Sequence, residues 1–222
     1  MAFRLPNDSQ HHVLVGSNGS GKTRAAVWHL AHRSYAKMPW YIVDFKRDDL
    51  IAKIPAVEMN VTDKLKDEPG LYVLRPHPYE QDELADFFLR LWARENNGVY
   101  VDEGYMIESA AANKAYKLIL TQGRSKRVPS ITLSQRPVWI NRFVLSEATF
   151  YQTFRLNDDR DLKTLQQFMP NESAESLPPF YSWYYDGGQN ELNIMAPVPK
   201  DSDIVALFQP PEAPETPRFR LA

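Results

Sequence analysis

Residues 13 to 23 read Val13-Leu14-Val15-Gly16-Ser17-Asn18-Gly19-Ser20-Gly21-Lys22-Thr23, a short apolar run leading straight into a glycine-rich loop. Gly16 to Thr23 fit G-x-x-x-x-G-K-[ST], the phosphate-binding loop. Gly16, Gly19 and Gly21 allow a tight backbone curl in which successive N–H groups face an anion. Lys22 is placed to reach the β- and γ-phosphates, and the Thr23 hydroxyl to meet Mg²⁺. A helix from about residue 21 to 37 would add the positive end of its dipole. The ligand expected of Gly16, Ser17, Asn18, Gly19, Ser20, Gly21, Lys22 and Thr23 is therefore ATP with Mg²⁺.

Outward from this loop, strand-like and helix-like segments alternate, which predicts an α/β fold with a mostly parallel sheet covered on both faces. Strands are expected at His11 to Val15, Trp40 to Val43, Ala56 to Asn60, Gly70 to Leu74, Val99 to Val101, Ser130 to Leu133 and Thr149 to Leu156. Helices are expected at 24 to 37, Tyr79 to Glu95, Ile107 to about Gln122 and Asp158 to Phe168. The second is the clearest, since Leu84, Phe87, Phe88, Leu91 and Trp92 form one apolar stripe. That stripe reads as core rather than as a base-stacking platform. Beyond Pro170, Phe180 to Tyr185 and Glu191 to Met195 flank Asp186-Gly187-Gly188-Gln189-Asn190, a hairpin signal. The expected organisation is a nucleotide-binding core at 1–170, a hairpin extension packed on it at 171–208, and a Pro-rich tail at 209–222 that is extended or disordered.

Hydrolysis requires more than a phosphate loop. A carboxylate must hold the Mg²⁺ shell and another group must orient the attacking water. Val99-Tyr100-Val101-Asp102-Glu103 supplies two acids at the end of an apolar strand, with Asp102 for Mg²⁺ and Glu103 to polarise the water. Gln135, at the end of the next strand, can touch the γ-phosphate or the water. Charge growing on the γ-phosphoryl group is best met by a guanidinium, often from a neighbouring subunit. Arg124, Arg127, Arg136 and Arg142 compete for that role, and spacing does not choose among them.

Composition sets outer bounds. The chain has 222 residues, a formal net charge of −2 and no cysteine. Disulfides and Cys-ligated zinc are excluded, and the charge does not favour a protein that coats a DNA duplex. It leaves room for DNA contact by loops lining a channel; Arg124-Ser125-Lys126-Arg127 is a basic cluster equally compatible with a solvated loop. The N-terminus has no basic-then-apolar signal pattern and no apolar run reaches bilayer length. A cytoplasmic chain is the default expectation.

Taken together, GSNGSGKT at 16–23, YIVDFK at 41–46, VYVDE at 99–103 and GRSKRVPSITLSQRP at 123–137 resemble the HerA–FtsK superfamily of DNA-pumping ATPases. The Asp-x-Lys of residues 44–46 is similar to that superfamily's Asp-Pro-Lys, with Phe45 in place of Pro. The small size is similar to the genome-packaging ATPases of internal-membrane double-stranded DNA viruses. The resemblance implies a RecA-like core, a ring, commonly a hexamer, with ATP sites between subunits, and double-stranded DNA passing through a central pore. It implies Gln135 as γ-phosphate sensor and an arginine acting in trans, favouring Arg124 with Arg127 as runner-up. A viral portal or capsid-vertex protein would be a partner, and the chain would be in host cytoplasm or virion-associated. An assembly factor or switch of the Zot type that moves no DNA is the alternative, although those proteins typically carry a membrane span. A small-molecule kinase would share the loop but needs an Arg-rich lid and an acceptor-binding acid.

Overall fold

A computed structural model describes residues 4–208; the Pro-rich tail falls outside the described residues. The sheet has nine strands in the order β3-β4-β2-β5-β6-β1-β7-β8-β9. These are β1 (His12–Val15), β2 (Pro39–Asp44), β3 (Val57–Met59), β4 (Gly70–Leu74), β5 (Gly98–Asp102), β6 (Ser130–Ser134), β7 (Phe150–Thr153), β8 (Ser182–Asp186) and β9 (Glu191–Met195). The first seven are parallel, while β8 and β9 run antiparallel. The hairpin thus extends the central sheet as its last two strands.

Period-2 alternation divides the core between the two faces. Val13, Val15, Tyr41, Val43, Val99 and Val101 point to one side, where α2 (Gln81–Arg94) and α3 (Ala110–Lys126) bring Phe87, Phe88, Leu91, Tyr116 and Ile119. Leu14, Trp40, Ile42, Tyr100, Ile131 and Leu133 point to the other, under α1 (Lys22–Ala31) and α6 (Asp201–Val205). The expected stripe of α2 is core, as read, with only Trp92 partly exposed.

Several boundaries differ from the sequence expectation. α1 stops at Ala31, well short of residue 37, because Arg33 turns inward to lie 5.4 Å from the Trp40 ring and Ser34 donates to Asp8. α3 begins only at Ala110, capped by Ser109, whose hydroxyl accepts from the Ala112 amide, and runs on to Lys126. Two short helices, α4 (Arg142–Ser146) and α6, were not expected. α5 (Asp159–Leu165) is a shorter form of the expected helix at 158–168.

Behind the phosphate loop lies a buried polar cluster. His12 of β1 and His29 of α1 meet edge to face, 4.4 Å between ring centroids. His29 Nε2 bonds Gln152 Oε1 at 2.8 Å, and Gln152 donates on to Ser182 at 2.8 Å. Burial pushes His11 down to about 4 and His29 to about 3, with the buried Arg33 guanidinium adding repulsion; His12 is lowered well below its ordinary value. All three are therefore neutral in the folded chain at pH 7, while the unfolded chain takes up protons near pH 6.5. Their contribution to stability is present above pH 6.5 and is lost as the pH falls, by about 1.6 kcal/mol for each of His11 and His29 between pH 6.5 and 5. Urea unfolding is expected to show a falling midpoint from pH 7 to 5, with a shallower fall in His12→Phe.

Candidate active site

β1 ends at Val15, and the loop that follows is pinned between its two neighbours. The Gly16 amide donates to Ser134 O at the end of β6, and the Ser17 amide to Arg155 O beyond β7. Gly16 admits no side chain, since a Cβ there would sit 2.6 Å from Phe154 Cβ. Gly21 has φ +97 and occupies the N-cap of α1. This conformation suits glycine. Among the described residues, the amides of Asn18, Gly19, Gly21, Lys22 and Thr23 donate to no acceptor. They rim a cleft of about 420 Å³ lined also by Lys46, Asp48, Asp49 and Phe180. Unused amides, a helix N-terminus and a lysine form an anion cradle.

The strand order places β6 between β1 and β5. Gln135 therefore leaves the sheet between the phosphate loop and the acid pair. Glu103, fully buried, has a left-handed backbone (φ 62) that turns its carboxylate back over the strand ends. There it meets Lys22 Nζ at 3.3 Å and also pairs with Lys46. Gln135 donates to it twice, from its backbone N at 3.2 Å and its side-chain amide at 3.1 Å. Burial alone would push the Glu103 carboxyl up, but Lys22, Lys46 and Gln135 together hold it below the ordinary glutamate range. Burial lowers Lys22, against the opposing pull of Glu103. Lys22, Glu103 and Gln135 thus come together as the sequence suggested. Lys46 was visible only as part of an Asp-x-Lys motif, with no role assigned; its partner lies 57 positions away.

Asp102 is as buried as Glu103, yet neither of its carboxylate oxygens has a hydrogen-bond partner. Burial and the adjacent Glu103 charge push it to about 7. Its register partner on β2 is Asp44, also fully buried, which accepts from the Asp48 amide at 3.0 Å and from Arg75 at 3.2 Å. An unpartnered buried carboxylate beside a second acid fits a divalent cation. Thr23, in the first turn of α1, is half-buried on the cleft wall.

The four arginines separate. Arg136 pairs with Asp158 and Asp161, and Arg142 lies over the Phe168 ring at 5.7 Å. Arg124 and Arg127 are exposed and form no ion pair among the described residues. Both stand at the far end of α3, roughly 25 Å of helix away from the strand ends that carry the acids. Arg124 therefore cannot reach its own chain's phosphate loop. Arg127 also has a local task, closing α3 with φ 55 and donating its amide to Gly123 O.

With this geometry in hand, comparison decides the family. The chain is 42% identical to the DNA packaging ATPase P9 of Enterobacteria phage PRD1, over 94% of this chain and 96% of that protein. The chain belongs to the P9 family of packaging ATPases. No protein-family profile matches it. Among solved structures it is similar to the genome packaging NTPase B204 of Sulfolobus turreted icosahedral virus 2 in complex with AMP, with a TM-score of 0.66 and 18% identity, covering 87% of this chain and all of that one. It is also similar to ATPases 2 and 3 of EssC from Geobacillus thermodenitrificans, with a TM-score of 0.64 and 13% identity, covering 90% of this chain and 43% of that one. These likenesses establish the P-loop NTPase fold. As a member of this family the chain is an ATPase.

Lys46 is a third exposed and supports no core packing. Lys46→Ala should therefore melt within a few degrees of wild type yet lose at least roughly tenfold in ATP turnover, as expected if the Glu103 carboxylate it pairs with takes part in proton transfer. Lys46→Arg should recover part of the loss in a steady-state phosphate-release assay.

Proposed function

We propose that this chain is the ATP-hydrolysing subunit of a viral genome-packaging motor that moves double-stranded DNA through an oligomeric ring. The observation that carries the reading is the meeting of Lys22, Gln135 and Glu103 from three different strand ends, in a chain 42% identical to a DNA packaging ATPase.

In this reading ATP occupies the cradle of residues 16–23. Lys22 exchanges Glu103 for the β- and γ-phosphates, since both are anions competing for one ammonium group. The Gln135 amide turns from Glu103 to the γ-phosphate or the attacking water. Glu103, released by both, accepts a proton from that water, while Lys46 holds the carboxylate in place. Thr23 and Asp102 hold Mg²⁺, whose chemistry is to neutralise charge on the β- and γ-phosphates. Arg124 enters from a neighbouring copy, with Arg127 as the second candidate; in-chain reach denies either a role in its own site. A ring, commonly hexameric, follows from the need to complete each site in trans, and DNA runs through its centre. A portal or capsid-vertex protein is the fitting partner, in host cytoplasm or on the virion. Among the described residues no helix is long and apolar enough to cross a membrane.

Long double-stranded DNA is expected to raise the ATPase rate several-fold, and nucleotide to shift the chain to a ring on size-exclusion chromatography with light scattering. Turnover indifferent to both would remove the motor. Glu103→Gln should bind ATP yet hydrolyse it at least roughly a hundredfold more slowly, as loss of a general base predicts. Mixed Arg124→Ala and Lys22→Ala subunits should regain activity that neither has alone; no recovery would count against Arg124.

A further inference from the structure

The C-terminal extension brings Phe180 back to the phosphate loop. The residue is 52% exposed, and its ring lies so close to the loop that a Cβ on Gly21 would be 3.3 Å from Phe180 Cδ1. Its backbone has φ +67, a region that residues with side chains avoid. The ring is a wall of three adjoining cavities. One is the phosphate cleft. Another runs along Ser17–Ser20 to Arg155, Pro178 and Tyr181. The third is a recess of about 70 Å³, part polar and part apolar, between Arg24, Ala25, Gln152, Phe154, Pro197 and Val198. Arg24 is itself fixed there by an ion pair with Asp201 of α6 at 2.7 Å.

A nucleotide has a fixed span. With its β- and γ-phosphates on Lys22, the α-phosphate passes the first turn of α1 and the base must come to rest within a few ångströms beyond. On the side away from Glu103 that place is bounded by Arg24, Phe180 and the 196–198 strap. We propose that this recess and the Phe180 ring form the nucleobase site, with the base stacking on Phe180 and the apolar strap shielding its edge. The recess is small beside the 420 Å³ cleft, so the base sits at its mouth against the exposed ring. Stacking is face to face with an aromatic side chain, and Arg24 supplies the polar rim. The unfavourable backbone at Phe180 has a use on this account: it aims the ring across the loop, where a relaxed strand would carry it away. The hairpin of β8 and β9 then serves as the support of a nucleotide lid, because Phe180 is held two residues before β8.

This inference rests on the phosphate loop binding ATP, and the test separates the two. Binding of ATP and of inorganic tripolyphosphate to the full chain is measured by isothermal titration calorimetry for wild type, Phe180→Ala and Phe180→Tyr. Phe180→Ala should weaken ATP roughly tenfold or more, a typical cost for loss of one stacking partner, and leave tripolyphosphate within about twofold. Phe180→Tyr should bind both like wild type. Equal weakening of ATP and tripolyphosphate would make Phe180 a support for the loop's shape and overturn the base site. Unchanged ATP affinity in Phe180→Ala would overturn it as well. Failure of tripolyphosphate to bind the wild-type chain would strike at the phosphate-loop reading instead, and the base site would fall with it.

Discussion

A carboxylate shut away from water survives as an anion only when positive or donor groups close around it, and Glu103 is such a case. Lys22, Lys46 and Gln135 supply those groups from the ends of β1, β2 and β6. The parallel sheet brings these ends to one edge, and the order β2-β5-β6-β1 puts them side by side. An order that separated these four strands would take those partners away from Glu103. The strand order and the chemistry are thus bound to one another through a single charged group.

The same edge holds a second acid in the opposite condition. Asp102 has no hydrogen-bond partner on either oxygen, and burial, with the Glu103, Asp44 and Asp48 charges outweighing Lys46, pushes it up to about 7. Two adjacent residues therefore carry different protonation behaviour because their backbones differ. Asp102 continues the strand and points into the acidic side with Asp44, whereas the left-handed turn at Glu103 swings it to the lysines. The different surroundings of the two carboxylates follow from that turn.

Much of this was legible before folding. The phosphate loop, the acid pair and the glutamine after β6 are local patterns at strand ends, and local patterns survive in sequence because their geometry is set within a few residues. The strands β4 and β9 were readable to the residue, since turn-forming residues flank them. α4 and α6 were not, being five residues each and too short to show a helical period. α1 was read too long because nothing local reveals that Arg33 turns in to meet Trp40. The Lys46–Glu103 pair, the Arg24–Asp201 pair and the Phe180 ring over Gly21 join residues 57, 177 and 159 positions apart. Such contacts leave no periodicity and no spacing to read.

What the sequence by itself determined is the chemistry available: a phosphate-binding loop, two strand-end acids, a glutamine and a set of arginines. What only the tertiary structure decided is which of these meet. Strand order is a long-range property, chosen by how two apolar faces are covered by helices, and it brought Lys46 against Glu103. It also tied up Arg136 and Arg142 within the chain and carried Arg124 and Arg127 to the opposite edge of the sheet. The final two strands follow the same logic. Their sequence specified a hairpin, but only its pairing with β7 sets Phe180 above the phosphate loop, because an edge strand seeks the one unpaired row of backbone groups left beside the nucleotide cleft.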